Sequence, residues 1–260
     1  MVRRILPNTV QYGKRLAEVT LLDERAKLQF SDGAKETFDI VIGADGLSSI
    51  VRSIVCGVEQ PRFSGQSAYR AIIDPADLET PPPDDLSKWW DTERFVISYY
   101  LTHRRDQYYF VAGLPTASWP SGVASVEADR EEMIAAFADL HPWIVQLLAK
   151  GQDVRQWPLY ERDPEPAWSK GPIVVLGDAC HPMRPHMGQG AAMAIEDAAY
   201  LTRCLVHHGA DRWKDAYLSY QSGRKARTAE VQRISNENSW LRTPTDPTWV
   251  FGYDALSAPI

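Results

Sequence analysis

The sequence predicts an α/β fold with an α+β insert, in which parallel strands lead into helices, an antiparallel sheet is inserted between them, and the chain ends in helices. Two short apolar runs, Ile40–Ile42 and Ile173–Leu176, each stop at a glycine- and aspartate-containing turn and continue into a helical pattern. Such runs are typical of buried parallel strands. The stretch between them is rich in aromatic and β-branched residues, which favours antiparallel strands.

Composition limits the possible functions. The chain has 260 residues, enough for one large or two small domains with a substantial core. Its net charge of −6, without basic clusters, argues against a nucleic-acid partner. The three cysteines form no C-x-x-C pair, and no apolar run has the length of a signal peptide or a membrane span. We therefore expect a cytoplasmic protein without a membrane partner.

The first region, residues 1–60, combines a small sheet with a strand–turn–helix unit. Alternating apolar residues between positions 8 and 38 predict an antiparallel meander. The stretch 39–52, DIVIGADGLSSIVR, predicts a buried strand, a tight turn and a helix that Ser48 or Ser49 caps and that ends near Cys56. Such a turn needs no ligand, so its role is structural unless a second motif accompanies it.

The second region, residues 61–157, reads as an inserted sheet domain. Several aromatic-rich segments predict antiparallel strands, and a helical stripe between 127 and 150 is interrupted at His141-Pro142. Tyr99 and Tyr100 should point to opposite faces of their strand. The sequence leaves open whether either tyrosine contacts a ligand or only packs in the core.

The third region, residues 158–260, contains the most informative stretch, 171–199. A buried strand ends at Gly177-Asp178, and ligands bind at strand ends of this kind in open α/β sheets. A Pro- and Gly-rich loop leads to a helix from Gly190 to about His207, whose N-terminus favours an anion. A second long helix should run from Trp213 to about Leu241, with Arg224, Lys225 and Arg227 on its solvated side. The simplest alternative is a plain strand–loop–helix crossover with an incidental aspartate.

The strings GADGLSSIVR and GDACHPMRPHMGQGAAMAIEDA, in this order, resemble two internal fingerprints of the FAD-dependent aromatic-ring monooxygenases. TVQYGKRL, SKWW, YYLTHRRDQYYFVAG and WVFGYD extend the resemblance over essentially the whole chain, and it is strongest to the 6-hydroxynicotinate 3-monooxygenase branch. The resemblance implies a partial FAD-binding Rossmann-like domain with an inserted substrate-binding sheet domain. It also implies FAD as cofactor, NADH or NADPH as co-substrate, and O2 and a small aromatic acid as reactants. A hydroxyl would replace the ring carboxylate.

The resemblance also assigns residues to roles. Tyr99 matches a tyrosine that draws the proton from the ring hydroxyl, and His186 matches a pocket histidine beside the flavin. Asp178 would hold the ribityl chain, and Leu16 would touch the adenosine half. His181 is expected to be a loop residue with a local hydrogen bond. The implied cofactor-binding residues are Leu16, Asp45, Gly177, Asp178, Pro185, Gly188, Gly190 and Ala191.

One departure from the family pattern is the lack of G-x-G-x-x-G, the turn that seats the FAD pyrophosphate. We therefore expect an N-terminally truncated form, a monomer or a homodimer, that binds FAD weakly or not at all. Two alternatives are a salicylate hydroxylase-like enzyme and a non-catalytic remnant that binds an aromatic ligand or a partner. A metal-dependent hydrolase is disfavoured, because the spacing of Cys180, His181 and His186 matches no zinc pattern.

Overall fold

The computed structural model describes residues 9–240 and 242–260. The chain divides into two compact units, one formed by the chain up to Pro61 together with Glu161–Ile260, the other by Arg62–Tyr160. Two expectations extend past the described residues, the predicted region 1–60 at its first eight positions and the helix end near Leu241. The α/β class with an antiparallel insert and C-terminal helices is confirmed.

The elements follow one another along the chain as strands and helices of mostly modest length. The strands are β1 Leu16–Leu22, β2 Arg25–Phe30, β3 Lys35–Phe38, β4 Val41–Gly43, β5 Arg62–Ile73, β6 Leu86–Trp90, β7 Phe95–Tyr100, β8 Tyr108–Pro115, β9 Val126–Glu127, β10 Arg155–Glu161, β11 Ser169–Lys170 and β12 Ile173–Val175. The helices are α1 Ile50–Cys56, α2 Arg130–Ala136, α3 Pro142–Ala149, α4 Gly190–His208, α5 Trp213–Asn236 and α6 Thr248–Phe251.

The first unit contains two small sheets. Strands β1, β2 and β3 form the predicted antiparallel meander, with Val19 opposite Leu28 and Ala26 opposite Phe38. Strand β12 lies between β11, to which it is antiparallel, and β4, to which it is parallel, with Ile173 opposite Val41. This parallel pair places the turn after β4 and the turn after β12 at the same edge of the sheet.

The core of the first unit surrounds β12, all of whose side chains are buried. Buried residues of α4 and α5 pack on it, including the tyrosines Tyr200, Tyr217 and Tyr220. Helix α1 begins as predicted, because the Ser49 side chain accepts a hydrogen bond from the Arg52 backbone N–H. Within the described residues, no helix has both the length and the apolarity needed to cross a bilayer.

Helix α5 corrects one expectation from the sequence. Arg224 was predicted on a solvated side, yet its side chain is completely buried and forms ion pairs with Glu196 and Asp197 on α4. Arg227 is partly buried and also pairs with Glu196. A cationic run on a helix is usually solvated. Here the guanidinium groups lie between the two helices because two carboxylates of α4 form ion pairs with them.

The second unit is a six-stranded sheet in the order β6-β7-β8-β5-β10-β9. One face packs on α2 and α3 through a cluster that includes Val96, Phe110 and Leu147. Tyr100 lies on this helix side, against Tyr108, with ring centroids 4.8 Å apart. Tyr99 lies on the opposite face, with Tyr109. The sheet geometry therefore separates the two adjacent tyrosines as the strand periodicity predicts.

Candidate functional site

A small cavity lies where β4 and β12 end and α4 begins. Its volume is about 280 Å³, and small side chains and glycines form most of its wall. The lining residues are Ala44, Gly46, Leu176, Gly177, Asp178, Gly190, Ala191 and Ala194. The structure thus brings together four of the cofactor-binding candidates, Gly177, Asp178, Gly190 and Ala191, beside the turn that holds Asp45.

Gly177 is required by the close approach of α4 to the strand end. Its backbone has a φ of +60°, and a Cβ at this position would lie 2.9 Å from the Cβ of Ala194. A side chain here would therefore be strained in its backbone and would collide with the helix. The same glycine opens the 3₁₀ turn Gly177–Ala179 that carries Asp178.

Asp178 and the start of α4 supply the polar groups of the cavity. The Asp178 side chain is exposed, although nearby protein atoms partly desolvate its carboxylate and raise its pKa. Gln189, at the N-cap of α4, makes no side-chain hydrogen bond to the first turn. The first N–H groups of this helix therefore remain available to a ligand oxygen, next to a carboxylate that can accept hydrogen bonds.

Asp45 and Leu16 have clear structural contacts. The Asp45 carboxylate accepts hydrogen bonds from the Ile50 N–H at 2.8 Å and the Val51 N–H at 3.2 Å, and also from the Ser49 hydroxyl. It thereby holds the first turn of α1. Leu16 begins β1 and packs against the core of the first unit. Roles for both residues in cofactor binding remain predictions.

Arg52, the trailing arginine of the first fingerprint, is almost completely buried. Its guanidinium pairs with Glu59 at 3.2 Å and with Glu165. These two carboxylates hold the side chain inside the unit, so its observed contacts are structural.

The Pro- and Gly-rich loop is fastened to the end of α5. The Pro182 carbonyl accepts a hydrogen bond from the Gln232 side chain at 2.8 Å. The backbone of Arg184 makes two more, since its N–H donates to the Asn236 side chain at 3.0 Å and its carbonyl accepts from the Ser235 hydroxyl at 2.5 Å. Pro185 opens the 3₁₀ turn Pro185–Met187, which ends at Gly188 with a φ of +65°. The loop is therefore held in one shape by both its own residues and the helix.

His186 lies within this loop and is 2% exposed. Its Nδ1 is 2.8 Å from the Ser235 carbonyl oxygen, which can only accept, so Nδ1 carries a proton. In the neutral ring, this hydrogen bond makes Nε2 the accepting nitrogen. The loop thus fixes both the orientation and the tautomer of the predicted pocket histidine.

His181 was expected to make a local hydrogen bond, and this expectation is wrong. Its Nε2 lies 2.5 Å from Oδ2 of Asp197, within α4, and both side chains are buried. The same oxygen accepts from the Gly177 N–H at 3.1 Å, and Oδ1 accepts from Arg224 Nε at 2.8 Å. Burial alone would raise the pKa of Asp197, but the hydrogen bond from His181 and the charge of Arg224 hold it below its usual value.

Asp197 and Arg224 therefore support the turn that carries Asp178, and sequence reasoning missed both contacts. Both residues stand in helical patterns that resemble ordinary charged surfaces, and Arg224 comes from a different helix. The only available signal was the pairing of an acidic Glu196-Asp197 with a basic stretch on the following helix.

Other chemistries find little support in the described residues. Burial raises the pKa of the Cys180 thiol well above its ordinary value and that of Cys204 to about 11, so neither is an activated nucleophile. Within residues 9–240 and 242–260, no group of three or more His, Cys, Asp or Glu side chains could hold a metal ion.

Tyr99 belongs to the second unit. Its ring contacts Tyr109 edge-on, with centroids 5.4 Å apart. Burial raises the pKa of Tyr99, and the nearby Tyr109 adds to this effect while Arg70 opposes it. Near neutral pH the Tyr99 side chain is therefore a neutral phenol, which both donates and accepts hydrogen bonds.

Comparison with known proteins gives consistent matches. The model of the FAD binding domain family matches residues 9–235. The 6-hydroxynicotinate 3-monooxygenase of Bordetella bronchiseptica is 46% identical over 96% of this chain, and that of Pseudomonas fluorescens is 43% identical over 98%. A solved salicylate hydroxylase–substrate complex has a TM-score of 0.80 and 25% identity over 96% of this chain and 70% of that one. The chain spans 66% and 67% of the lengths of the two curated relatives.

Proposed function

This chain belongs to the FAD binding domain family, and from that premise we propose that it serves FAD-dependent, NAD(P)H-driven hydroxylation of an aromatic ring. The reaction we favour is that of 6-hydroxynicotinate 3-monooxygenase, because two relatives with this name are 46% and 43% identical. The observation that carries the proposal is the cavity between the ends of β4 and β12 and the start of α4. Its wall places Asp178 next to the two small residues that open the helix.

The residues of this cavity fit part of FAD. The glycine and alanine residues of the wall allow a ligand to approach the backbone closely. The Asp178 carboxylate can accept hydrogen bonds from ribityl hydroxyls, and the first N–H groups of α4 can donate to a flavin oxygen. Pro185 and Gly188 would shape the adjoining loop, and Asp45 and Leu16 would lie toward the remainder of the cofactor. When bound, FAD supplies the two-electron chemistry that passes one atom of O2 to the ring.

The overall reaction balances as a decarboxylative hydroxylation. The nicotinamide co-substrate gives two electrons, one oxygen atom of O2 leaves as water, and the other forms a C–O bond at ring carbon 3. The C–C bond to the carboxylate breaks and carbon dioxide leaves. An electron-rich ring is needed for this substitution, so loss of the proton from the ring hydroxyl accelerates it.

Tyr99 and His186 are the side chains we assign to the substrate. Because the pKa of Tyr99 is raised, its side chain would start as a neutral phenol rather than as a phenolate. It would accept the proton of the ring hydroxyl while it gives its own proton to solvent water. His186, held through Nδ1, would present Nε2 to the ring or the flavin. We further propose a cytoplasmic monomer or homodimer that uses NADH or NADPH.

A salicylate hydroxylase-like activity is the second candidate, supported by the TM-score of 0.80 to a solved member. We rank it lower because the identity is 25%, against 46% for the first relative. The third candidate is a non-catalytic protein that keeps the fold and binds an aromatic ligand.

The deciding experiment supplies the purified chain with a large excess of FAD, because the sequence lacks G-x-G-x-x-G, and follows NADH and NADPH oxidation with 6-hydroxynicotinate and with salicylate. We expect hydroxylated product and carbon dioxide in equal amounts from 6-hydroxynicotinate. Tyr99→Phe should lower kcat by about 100-fold, the lower end of the range for a positioned proton-transfer group. Product from salicylate alone would favour the second candidate. FAD binding without any product would favour the non-catalytic protein.

A further inference from the structure

The second unit contains a cavity, separate from the one assigned to FAD, that has the size of a small-molecule site. Its volume is about 450 Å³, within the roughly 300–1,000 Å³ typical of ligand pockets. Strands β5, β8 and β10 and the segment before β10 form its wall. The lining residues are Arg70, Ala71, Ile72, Tyr109, Gln152, Asp153, Arg155 and Trp157.

The guanidinium group of Arg70 has a hydrogen-bond donor that no described residue satisfies. Its Nε is buried and makes no hydrogen bond within the described part of the chain, and none of the described carboxylates forms an ion pair with it. Asp153 also borders the cavity but is exposed, and Arg155 donates to Ser125. Two guanidinium groups against one carboxylate leave the wall with a net positive charge. Arg70 itself is half-buried and hydrogen-bonds the Tyr109 side chain, but no described carboxylate balances its charge. A half-buried guanidinium without a carboxylate partner favours an anionic ligand.

Two aromatic side chains, Trp157 and Tyr109, line the same cavity as Arg70. The Arg70 guanidinium lies 5.6 Å from the ring centroid of Trp157. Burial raises the pKa of Tyr109, and the charge of Arg70 and its hydrogen bond to the Tyr109 side chain oppose this increase. Tyr109 in turn contacts Tyr99. A positive group beside two aromatic side chains is suited to a planar ring that carries a carboxylate, because the ring can contact the aromatic side chains while the guanidinium binds both carboxylate oxygens.

We propose that Arg70 binds the carboxylate of a planar aromatic acid in this cavity, with the ring against Trp157 and Tyr109, and so selects acids over neutral rings. The proposal rests on the proposed function, since it assigns the residue that recognises the acidic group of the substrate. Arginine is suited to this role because its planar fork matches the two oxygens of a carboxylate.

The test measures equilibrium binding of two ligands to the full chain supplied with FAD. One is 6-hydroxynicotinate, and the other is 2-hydroxypyridine, the same ring without the carboxylate. Arg70→Gln should weaken binding of the acid by about 10- to 100-fold, the loss expected for a charge-assisted hydrogen-bonded pair. Binding of the neutral ring should not change. Arg70→Lys, which keeps the charge without the fork, should lie between. Arg104→Gln, at an exposed arginine of the same unit, is the matched control.

Several results would overturn the proposal. These are unchanged binding of the acid to Arg70→Gln, equal weakening of both ligands, and failure of the wild type to bind either 6-hydroxynicotinate or salicylate. Circular dichroism and melting temperature establish that each variant folds. Product formation by the wild type together with unchanged acid binding by Arg70→Gln would refute the anchor and leave the proposed function intact. Arg70-dependent acid binding without product would support the anchor and refute the function.

Discussion

Single residues beneath the proposed FAD site hold its geometry through one buried carboxylate. Asp197 accepts hydrogen bonds from the backbone of Gly177, from His181 and from Arg224. It therefore couples the turn that carries Asp178 to both long helices. A carboxylate in this position is a positioning residue, since its contacts are to groups that shape the cavity.

Asp197→Asn should destabilise the protein by about 3 kcal/mol, the lower end of the cost of breaking a buried ion pair. The amide cannot balance Arg224, and its NH2 group cannot accept from Gly177 or His181. FAD affinity should fall together with stability. Urea unfolding and FAD titration measure the two effects. Asp211→Asn, at an exposed residue of the same unit, is the control, and equal stability of the Asp197 variant and the wild type would contradict the assignment.

Gly177→Ala tests the close approach of strand end and helix. We expect a loss of about 1–3 kcal/mol from the collision with Ala194 and the positive φ, as for overpacked and strained positions. Because the displaced helix carries Gly190 and Ala191, FAD binding should weaken more than for a variant of equal instability elsewhere. Gly188→Ala provides a comparison, because a Cβ at Gly188 meets no atom within 4 Å and only the positive φ of +65° disfavours the substitution.

At the scale of elements, α4 and α5 pack closely because of a glycine. A Cβ on Gly223 would lie 2.1 Å from the Tyr200 hydroxyl and 2.4 Å from Cζ, and Tyr200 is 2% exposed. The tyrosine side chain therefore occupies the space over this helical turn, and it also donates to the Pro259 carbonyl.

Gly223→Ala should destabilise the protein although alanine favours helices by about 1 kcal/mol over glycine. The ring of Tyr200 must move, and overpacking of this kind costs typically 1–3 kcal/mol. We expect a net loss of stability in thermal and urea unfolding. Ser222→Ala, at an exposed neighbouring position, should change stability little. A more stable Gly223 variant would show that the helices separate without cost.

In the second unit, Arg94 joins the sheet to the helix pair. It donates to Asp139, between α2 and α3, at 2.7 and 2.8 Å, and also to Asp91 and to the Ala136 carbonyl. The hydrogen bonds from Arg94 lower the pKa of Asp139 to about 2.

This shift predicts a pH-dependent stability. A carboxyl with a lowered pKa in the folded state stabilises the protein above its unfolded pKa, and the contribution disappears as pH falls through the folded value. The wild type should therefore lose the Asp139 contribution between about pH 4 and pH 2. Asp139→Asn should melt at a lower temperature than the wild type at pH 6, and the difference should vanish near pH 2. A difference that stayed constant with pH would contradict this, and Asp84→Asn provides the exposed control.

Much of the fold was readable from local patterns, because those patterns act over a few residues. The helix start at Gly190 and the cap at Ser49, one of the two predicted serines, occur where they were predicted. The predicted strand also begins at Ile173 and ends at Val175, one residue before the end of the apolar run. The contacts of Arg224 and His181 were not readable, since their partners lie on other elements and only the tertiary fold brings them close. The same is true of the cavity at Arg70, which three strands assemble.

At the scale of the whole molecule, FAD binding should act on one unit. All the residues that line the proposed FAD cavity belong to the first unit. FAD at 100 times its dissociation constant would stabilise that unit by about 2.7 kcal/mol. Hydrogen exchange with and without FAD should show slower exchange within β4, β12 and the start of α4. Equal slowing throughout Arg62–Tyr160 would argue that the cofactor acts elsewhere.

The parallel pairing of β4 with β12 also has a consequence for synthesis on the ribosome. Val41 leaves the exit tunnel long before its partner Ile173. Until β12 has been synthesised, β4 therefore lacks its parallel neighbour and the core of the first unit is incomplete. The continuous segment Arg62–Tyr160 is made in the interval and can fold as it emerges, since domains generally fold as units. Chaperone demand during translation should therefore fall on the interrupted unit, and should end only when α4 and α5 have been completed.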